Sequence, residues 1–155
     1  MAIYQFKATQ KIHADFQEVW KFISDPRNLA LITPPSMDFK VITEKTNHMY
    51  EGLMIAYTVK PLLGIKVNWL TEITHVKDHY YFVDEQRVGP YKIWHHEHFI
   101  YQDGEDVIME DLITYCPPFG LLGKLANQLV IKKKLNEIFE FRRTAVEHYF
   151  SQKAI

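Results

Sequence analysis

Between Met37 and Cys116 the chain repeats one pattern, short runs of β-branched and aromatic residues each closed by a turn signal. The runs predict strands near 38–46, 50–60, 65–76, 79–88, 92–102 and 105–116. Thr46-Asn47-His48, Pro61 to Gly64, Lys77-Asp78, Gly89-Pro90-Tyr91 and Asp103-Gly104 separate them. Connections this short join antiparallel neighbours, so half of the chain is committed to a meander. Pro117-Pro118-Phe119-Gly120 ends it, and the period changes. Leu122, Leu125, Ala126 and Leu129, then Leu135, Ile138, Phe139, Val146 and Tyr149, make the apolar stripe of one long helix reaching about Ser151. A helix of roughly 30 residues spans about 45 Å and needs something broad to lie on. The sheet is the surface available.

Upstream, Ile3 to Ile12 reads as a strand. Phe16, Val19, Trp20 and Ile23 take helical spacing, and Asp15 or Ala14 begins that helix. Ser24-Asp25-Pro26 stops it, Pro26 opens a second short helix through Ile32, and Thr33-Pro34-Pro35-Ser36 breaks that one. The order is strand, two short helices, six strands, long helix. This is the α+β layout, with about seven antiparallel strands under helices gathered on one face. No repeat, low-complexity tract or linker divides residues 1–155, which read as one domain.

Aromatic residues are 14% of the chain: ten Phe, nine Tyr and three Trp. That suits a core rich in rings, and equally a cavity lined by them. A net charge of -1 lacks the basic footprint of a nucleic-acid binder, and Lys132-Lys133-Lys134 reads as a solvated helix face. The single cysteine, Cys116, excludes an internal disulfide and a multi-cysteine metal site. Met1 to Lys11 lacks the basic region and apolar run of a signal peptide, and no stretch reaches the roughly 18 apolar residues of a membrane span. Cytoplasmic residence is the default expectation.

Register gives the sharpest reading. A two-residue turn at Lys77-Asp78 sets Thr71 opposite Asp84, Trp69 opposite Gln86 and Ile73 opposite Phe82. Centring the next turn on Gly89-Pro90-Tyr91 sets Asp84 opposite His96, Gln86 opposite Trp94 and Phe82 opposite His98. A turn at Asp103-Gly104 sets His96 opposite Asp111 and His98 opposite Met109. Side chains alternate along a strand, so these residues and Ile113 share one face, expected to be concave. Glu72, Glu85, Arg87, His95, Glu97 and Glu110 fall on the other, solvated face. Thr71, Asp84, His96 and Asp111 then form a polar row inside an apolar surface. Three readings of the row stand: a satisfied structural network, polar anchors for a ligand, or an Asp–His pair for acid–base catalysis.

No metal or cofactor is expected. In His95-His96-Glu97-His98 a strand puts only His96 and His98 on one face. With Asp84 or Asp111 they could in principle form a facial triad, but no helical H-E-x-x-H is present.

Asp84-x-Gln86-x-x-Gly89-Pro90-Tyr91-x-x-Trp94-x-His96-x-His98 resembles a motif of the SRPBCC superfamily, as do Asn28-Leu29-x-x-Ile32-Thr33-Pro34-Pro35 and Pro117-Pro118-x-Gly120-x-x-Gly123. That superfamily includes START domains, polyketide cyclase/dehydrase-like proteins, coenzyme Q-binding proteins and birch-pollen allergens. The likeness runs over nearly the whole chain; Ile100 departs from it, where Phe is the expected residue. It implies a helix-grip fold, the sheet curved around the long helix, with a cavity for lipids, polyketides, isoprenoids or other apolar molecules. It implies no reaction.

The ligand-lining set expected on this basis is Trp69, Thr71, Phe82, Asp84, Gln86, Trp94, His96, His98, Met109, Asp111 and Ile113 from the sheet, with Leu122, Leu125 and Leu129 from the helix. The expected function is carrying or sensing a small apolar ligand. The alternatives are a cyclase, dehydratase or isomerase using Asp84, His96 and Asp111, and a protein-interaction module. The Pro61-Leu62-Leu63-Gly64 tip reads as packing against the helix, or as a gate where Leu62 and Leu63 touch a membrane transiently. In strand 50–60 either Leu53, Ile55, Tyr57 and Val59, or Met54, Ala56 and Thr58, face inward.

Overall fold

The computed structural model describes every residue except 1, 44, 45, 47, 63, 119, 121, 122, 124, 126, 154 and 155. β1 (Tyr4–Ile12) leads into helix α1 (Phe16–Ile23), followed by two 3-10 turns, Pro26–Asn28 and Pro35–Met37. Then come β2 (Lys40–Val41), β3 (Met54–Leu62), β4 (Ile65–Lys77), β5 (Tyr81–Val88), β6 (Ile93–Asp103) and β7 (Asp106–Cys116). The chain ends on a π-helical turn (Asn127–Ile131) and helix α2 (Lys132–Lys153). The strands form one antiparallel sheet in the order β1-β7-β6-β5-β4-β3-β2. The helix-grip layout expected above is present.

Local chemistry sets the helix boundaries. Asp15 Oδ1 accepts hydrogen bonds from the backbone N–H of Gln17 (2.9 Å) and Glu18 (3.1 Å), satisfying two amides that helix geometry leaves free. Val19, Trp20, Phe22 and Ile23 are the buried side of α1. Lys153 reaches Glu18 at 2.9 Å and ties α1 to the end of α2. Asp15→Ala is expected to cost about 1 kcal/mol in chemical denaturation, with the cavity described below unchanged.

Three expectations are corrected. Of the strand expected near 38–46, the described residues form Lys40–Val41, and 44 and 45 lie outside the described residues. The Lys77-Asp78 turn is longer: Lys77 pairs with Tyr81, and His79 takes a left-handed conformation (φ 62°) in the loop between them. Pairing with β5 then shifts between Ile73 and His75 and again between Leu70 and Thr71. The helix is also not one uniform rod. A π turn winds more widely than an α-helix, so the stripe predicted from Leu122 onward loses register there. Leu129 lies two positions before buried Ile131, on the opposite side of the turn, and is exposed; so is Leu125. Leu122 and Ala126 lie outside the described residues.

In α2, Leu135, Phe139, Val146 and Phe150 are buried against the sheet. Each such side chain contributes about 1.5–3 kcal/mol by leaving water. The core divides into two apolar clusters. One gathers α1, Ile73, Phe82, Met109 and Val146; the other gathers Trp69, Tyr91, Ile113, Leu135 and Phe139. On β3, Ile55 and Val59 are buried while Met54 is exposed, which settles the inward face.

Candidate functional site

Where the two clusters meet, the concave face carries ionisable groups. Asp84 lies opposite His96, and Phe82 opposite His98, as expected. β6 and β7 are offset by two residues from the expected pairing, so His98 rather than His96 lies opposite Asp111. Thr71 lies opposite Gln86 rather than Asp84, and Ile73 takes the place facing Asp84. Offsets of two keep every side chain on its face; an offset of one would have reversed them.

The result is a closed ring of contacts rather than a row. His96 Nε2 is 2.9 Å and His98 Nδ1 3.0 Å from Asp111 Oδ1. Their other nitrogens meet Asp84 Oδ2, His98 Nε2 at 2.8 Å and His96 Nδ1 at 3.4 Å. The two imidazoles lie 3.7 Å apart between centroids, and His98 stacks on Phe82 at 4.1 Å. From α2, Arg142 places a guanidinium nitrogen 3.3 Å from Asp111 Oδ1 and lies over the Phe139 ring.

Thr71, His96, His98 and Asp111 are buried. Burial alone would push the carboxyl of Asp84 up, but His96 and His98 outweigh it and hold it well below the usual carboxylate range. Burial opposes ionisation of Asp111 as well; hydrogen bonds from the same imidazoles, with the charges of His98 and Arg142, outweigh it and hold that carboxyl below the usual range too. Burial tends to lower the pKa of His96, yet the two carboxylates raise it.

Asp84 differs from Asp111 in one respect. Its side chain keeps 18% exposure, and its Oδ1 has no hydrogen-bond partner among the described residues. It lines a cavity of about 170 Å³ between the sheet and α2. That is far beyond the roughly 10–15 Å³ that admits a single water. The walls are mostly apolar, with Ile55, Val59, Trp69, Phe82, Ile113 and Phe139 among them. Tyr57 stacks on Trp69 at 6.0 Å and bonds Thr71 Oγ1 through its hydroxyl at 3.2 Å. Burial, then the charge of Asp84, push the Tyr57 hydroxyl far above its ordinary pKa, so it stays neutral.

Of the expected residues, Trp69, Thr71, Phe82, Asp84, Trp94, His96, His98, Met109 and Ile113 stand on this wall. Asp111 stands behind the imidazoles and not on it. Gln86 is not on the wall either: its amide donates to Tyr91 O at 2.6 Å and accepts from Tyr91 N at 3.1 Å, clamping the turn before β6. Gly89 is needed beside that clamp, since a Cβ there would come 2.3 Å from Gln86 Oε1. Exposed Leu125 and Leu129 are away from the cavity; Leu122, and Leu63 of the β3–β4 tip, are outside the described residues. Leu62 enters as the last residue of β3, paired with Ile65. Pro61 is buried and lines the cavity. Sequence reasoning missed Arg142. Its signal was an arginine in step with Leu135, Phe139 and Val146, a position the stripe reserves for apolar residues.

The fold and this cavity define a helix-grip protein of the SRPBCC superfamily. Residues 12–138 match the model of the polyketide cyclase / dehydrase and lipid transport family, and the chain belongs to that family. No curated protein matches the sequence. Among solved structures, protein Ms6760 from Mycobacterium smegmatis is 18% identical with a TM-score of 0.71, covering 96% of this chain and 92% of its own. A START superfamily protein from Mycobacterium smegmatis is 12% identical with a TM-score of 0.71, over 96% of this chain and 97% of its own. Ginseng major latex-like protein 151 from Panax ginseng is 12% identical with a TM-score of 0.70, over the same shares. Among the described residues no helix is long and apolar enough to cross a membrane.

Proposed function

We propose that the protein binds one small, largely apolar molecule in the cavity beneath its sheet, as a carrier or sensor. The carrying observation is an apolar cavity of about 170 Å³ with a single carboxylate oxygen, Asp84 Oδ1, left for a guest to meet. Apolar contact supplies most of the affinity, at about 25 cal/mol per Å² buried, and the oxygen orients a hydroxyl or amide donor of the guest. Two buried donors in wall residues, Trp69 Nε1 and Arg142 Nε, have no hydrogen-bond partner among the described residues. An acceptor on the guest would offset their cost, roughly 1–3 kcal/mol each.

The competing reading is acid–base catalysis by Asp84 and His96. The electrostatics weigh against it. A general base works best with a pKa near the operating pH, whereas Asp84 is held well below the ordinary range. Each nitrogen of His96 already faces a carboxylate, Asp111 at 2.9 Å and Asp84 at 3.4 Å.

Native mass spectrometry of gently extracted protein should show a co-purifying apolar molecule, and an apolar fluorophore should bind at one per chain. Protein that is always empty and ignores such dyes would refute the proposal.

A further inference from the structure

We propose that Asp84, His96 and His98 form a binding site for one divalent transition-metal ion, with Asp111 and Arg142 fixing the two imidazoles from behind. The inference does not rest on an apolar guest, because the ion is read without one.

Period two places His96 and His98 on one face of β6, and pairing with β5 brings Asp84 against them. One donor atom from each lies within 4.8 Å of the others, the one such group of three among the described residues. Asp84 Oδ2 is 2.8 Å from His98 Nε2 and 3.4 Å from His96 Nδ1. Donors around a tetrahedral ion at about 2.0–2.1 Å stand roughly 3.3 Å from one another, so a small spreading of these groups admits the ion.

The decisive feature is how the rings divide their nitrogens. Each offers one to Asp84 and the other to Asp111. A metal-bound imidazole nearly always donates its remaining N–H to a carboxylate or carbonyl, which sets its tautomer and aim. Here one carboxylate, Asp111, accepts from both rings, and Arg142 holds it at 3.3 Å. The ion belongs on the Asp84 side. The Asp111 side carries a guanidinium that repels it, while Asp84 faces the cavity and leaves coordination positions open there.

Charge agrees. Two carboxylates flank the imidazole pair against a single guanidinium, so acidic groups outnumber the fixed cation beside the ligands. Two imidazoles and one carboxylate with open positions suit zinc or ferrous iron rather than calcium or magnesium. The sequence pattern already set Asp84 and Asp111 on either side of His96; that His98 shares both carboxylates follows from the β6–β7 register.

The test uses untagged full-length protein, stripped with chelator and titrated with Zn²⁺ by calorimetry and with Co²⁺ by visible absorption. The expected result is one ion per chain. Affinity should fall at least tenfold in Asp84→Asn and in His98→Gln, and 10–100-fold in Asp111→Asn. His13→Gln and His95→Gln, on the outer surface, should bind as the parent does. X-ray absorption of zinc-loaded wild-type protein gives a readout free of any variant's folding, and two imidazoles should appear in the first shell. Absence of stoichiometric binding, a first shell without imidazole, or loss in His95→Gln but not in His98→Gln would overturn the site.

Discussion

Asp111→Asn is expected to lower the free energy of unfolding by about 3–5 kcal/mol, read by urea denaturation with chelator present. The replacement keeps shape and removes charge. It leaves Arg142 and two buried imidazoles around a neutral amide, and uncompensated buried charge is among the costliest single changes. Asp84→Asn should cost less, about 1–3 kcal/mol, because the Asp84 side chain is partly open to the cavity. Acid supplies a second readout. Both carboxylates titrate below their unfolded values, so their stabilisation is complete above the unfolded carboxylate pKa, near about 4, and is lost as pH falls through the folded values. The pKa of His96 is raised, so its contribution is complete below about 6.5 and is lost as pH rises through the folded value. Wild-type protein should therefore lose stability on acidification more steeply than Asp111→Asn. An Asp111→Asn protein within 1 kcal/mol of the parent, with the same acid profile, would show that the ring of contacts carries little.

Ile55→Phe combined with Val59→Phe should weaken binding of an apolar fluorophore at least tenfold while leaving stability within about 1–2 kcal/mol of the parent. Both residues are buried, both line the cavity, and their spacing of four keeps them on one face of β3. In a filled core two such enlargements would each cost about 1–3 kcal/mol through strain. Beside open space the added rings enter the cavity and occupy room the guest needs. Circular dichroism and thermal melting separate the cases. Severe destabilisation would mean that the space is not available, and unchanged dye affinity would place the dye elsewhere.

The concave face was legible because period two is a strong signal and both mispaired registers were wrong by even steps. Asp84, His96, His98 and Asp111 reach one place for that reason. The β4–β5 hairpin was less legible. Nothing in Lys77-Asp78 signals that His79 takes a left-handed conformation, or that the pairing shifts between Ile73 and His75 and so brings Ile73 and Thr71 back inside. The π turn escaped for a related reason: an apolar stripe counted at α spacing cannot register a wider turn, so Leu125 and Leu129 were placed on the wrong side. Arg142 escaped because stripe counting looks for apolar residues. An arginine in a buried row is better read as a demand for an anion across the core, here Asp111.

The short β2 has a consequence for life in a crowded solution. An open sheet ends in unpaired amides and carbonyls that can recruit the margin of another molecule. One border here is a strand of two residues, too brief to template much pairing. The other, β1, carries Lys7 and Lys11, engaged with Glu110 and Asp106 of β7, so a second copy arriving there would meet lysine charge. Both margins thus discourage fibril-like stacking, in a chain whose hollow interior gives it less packed core than its length would allow.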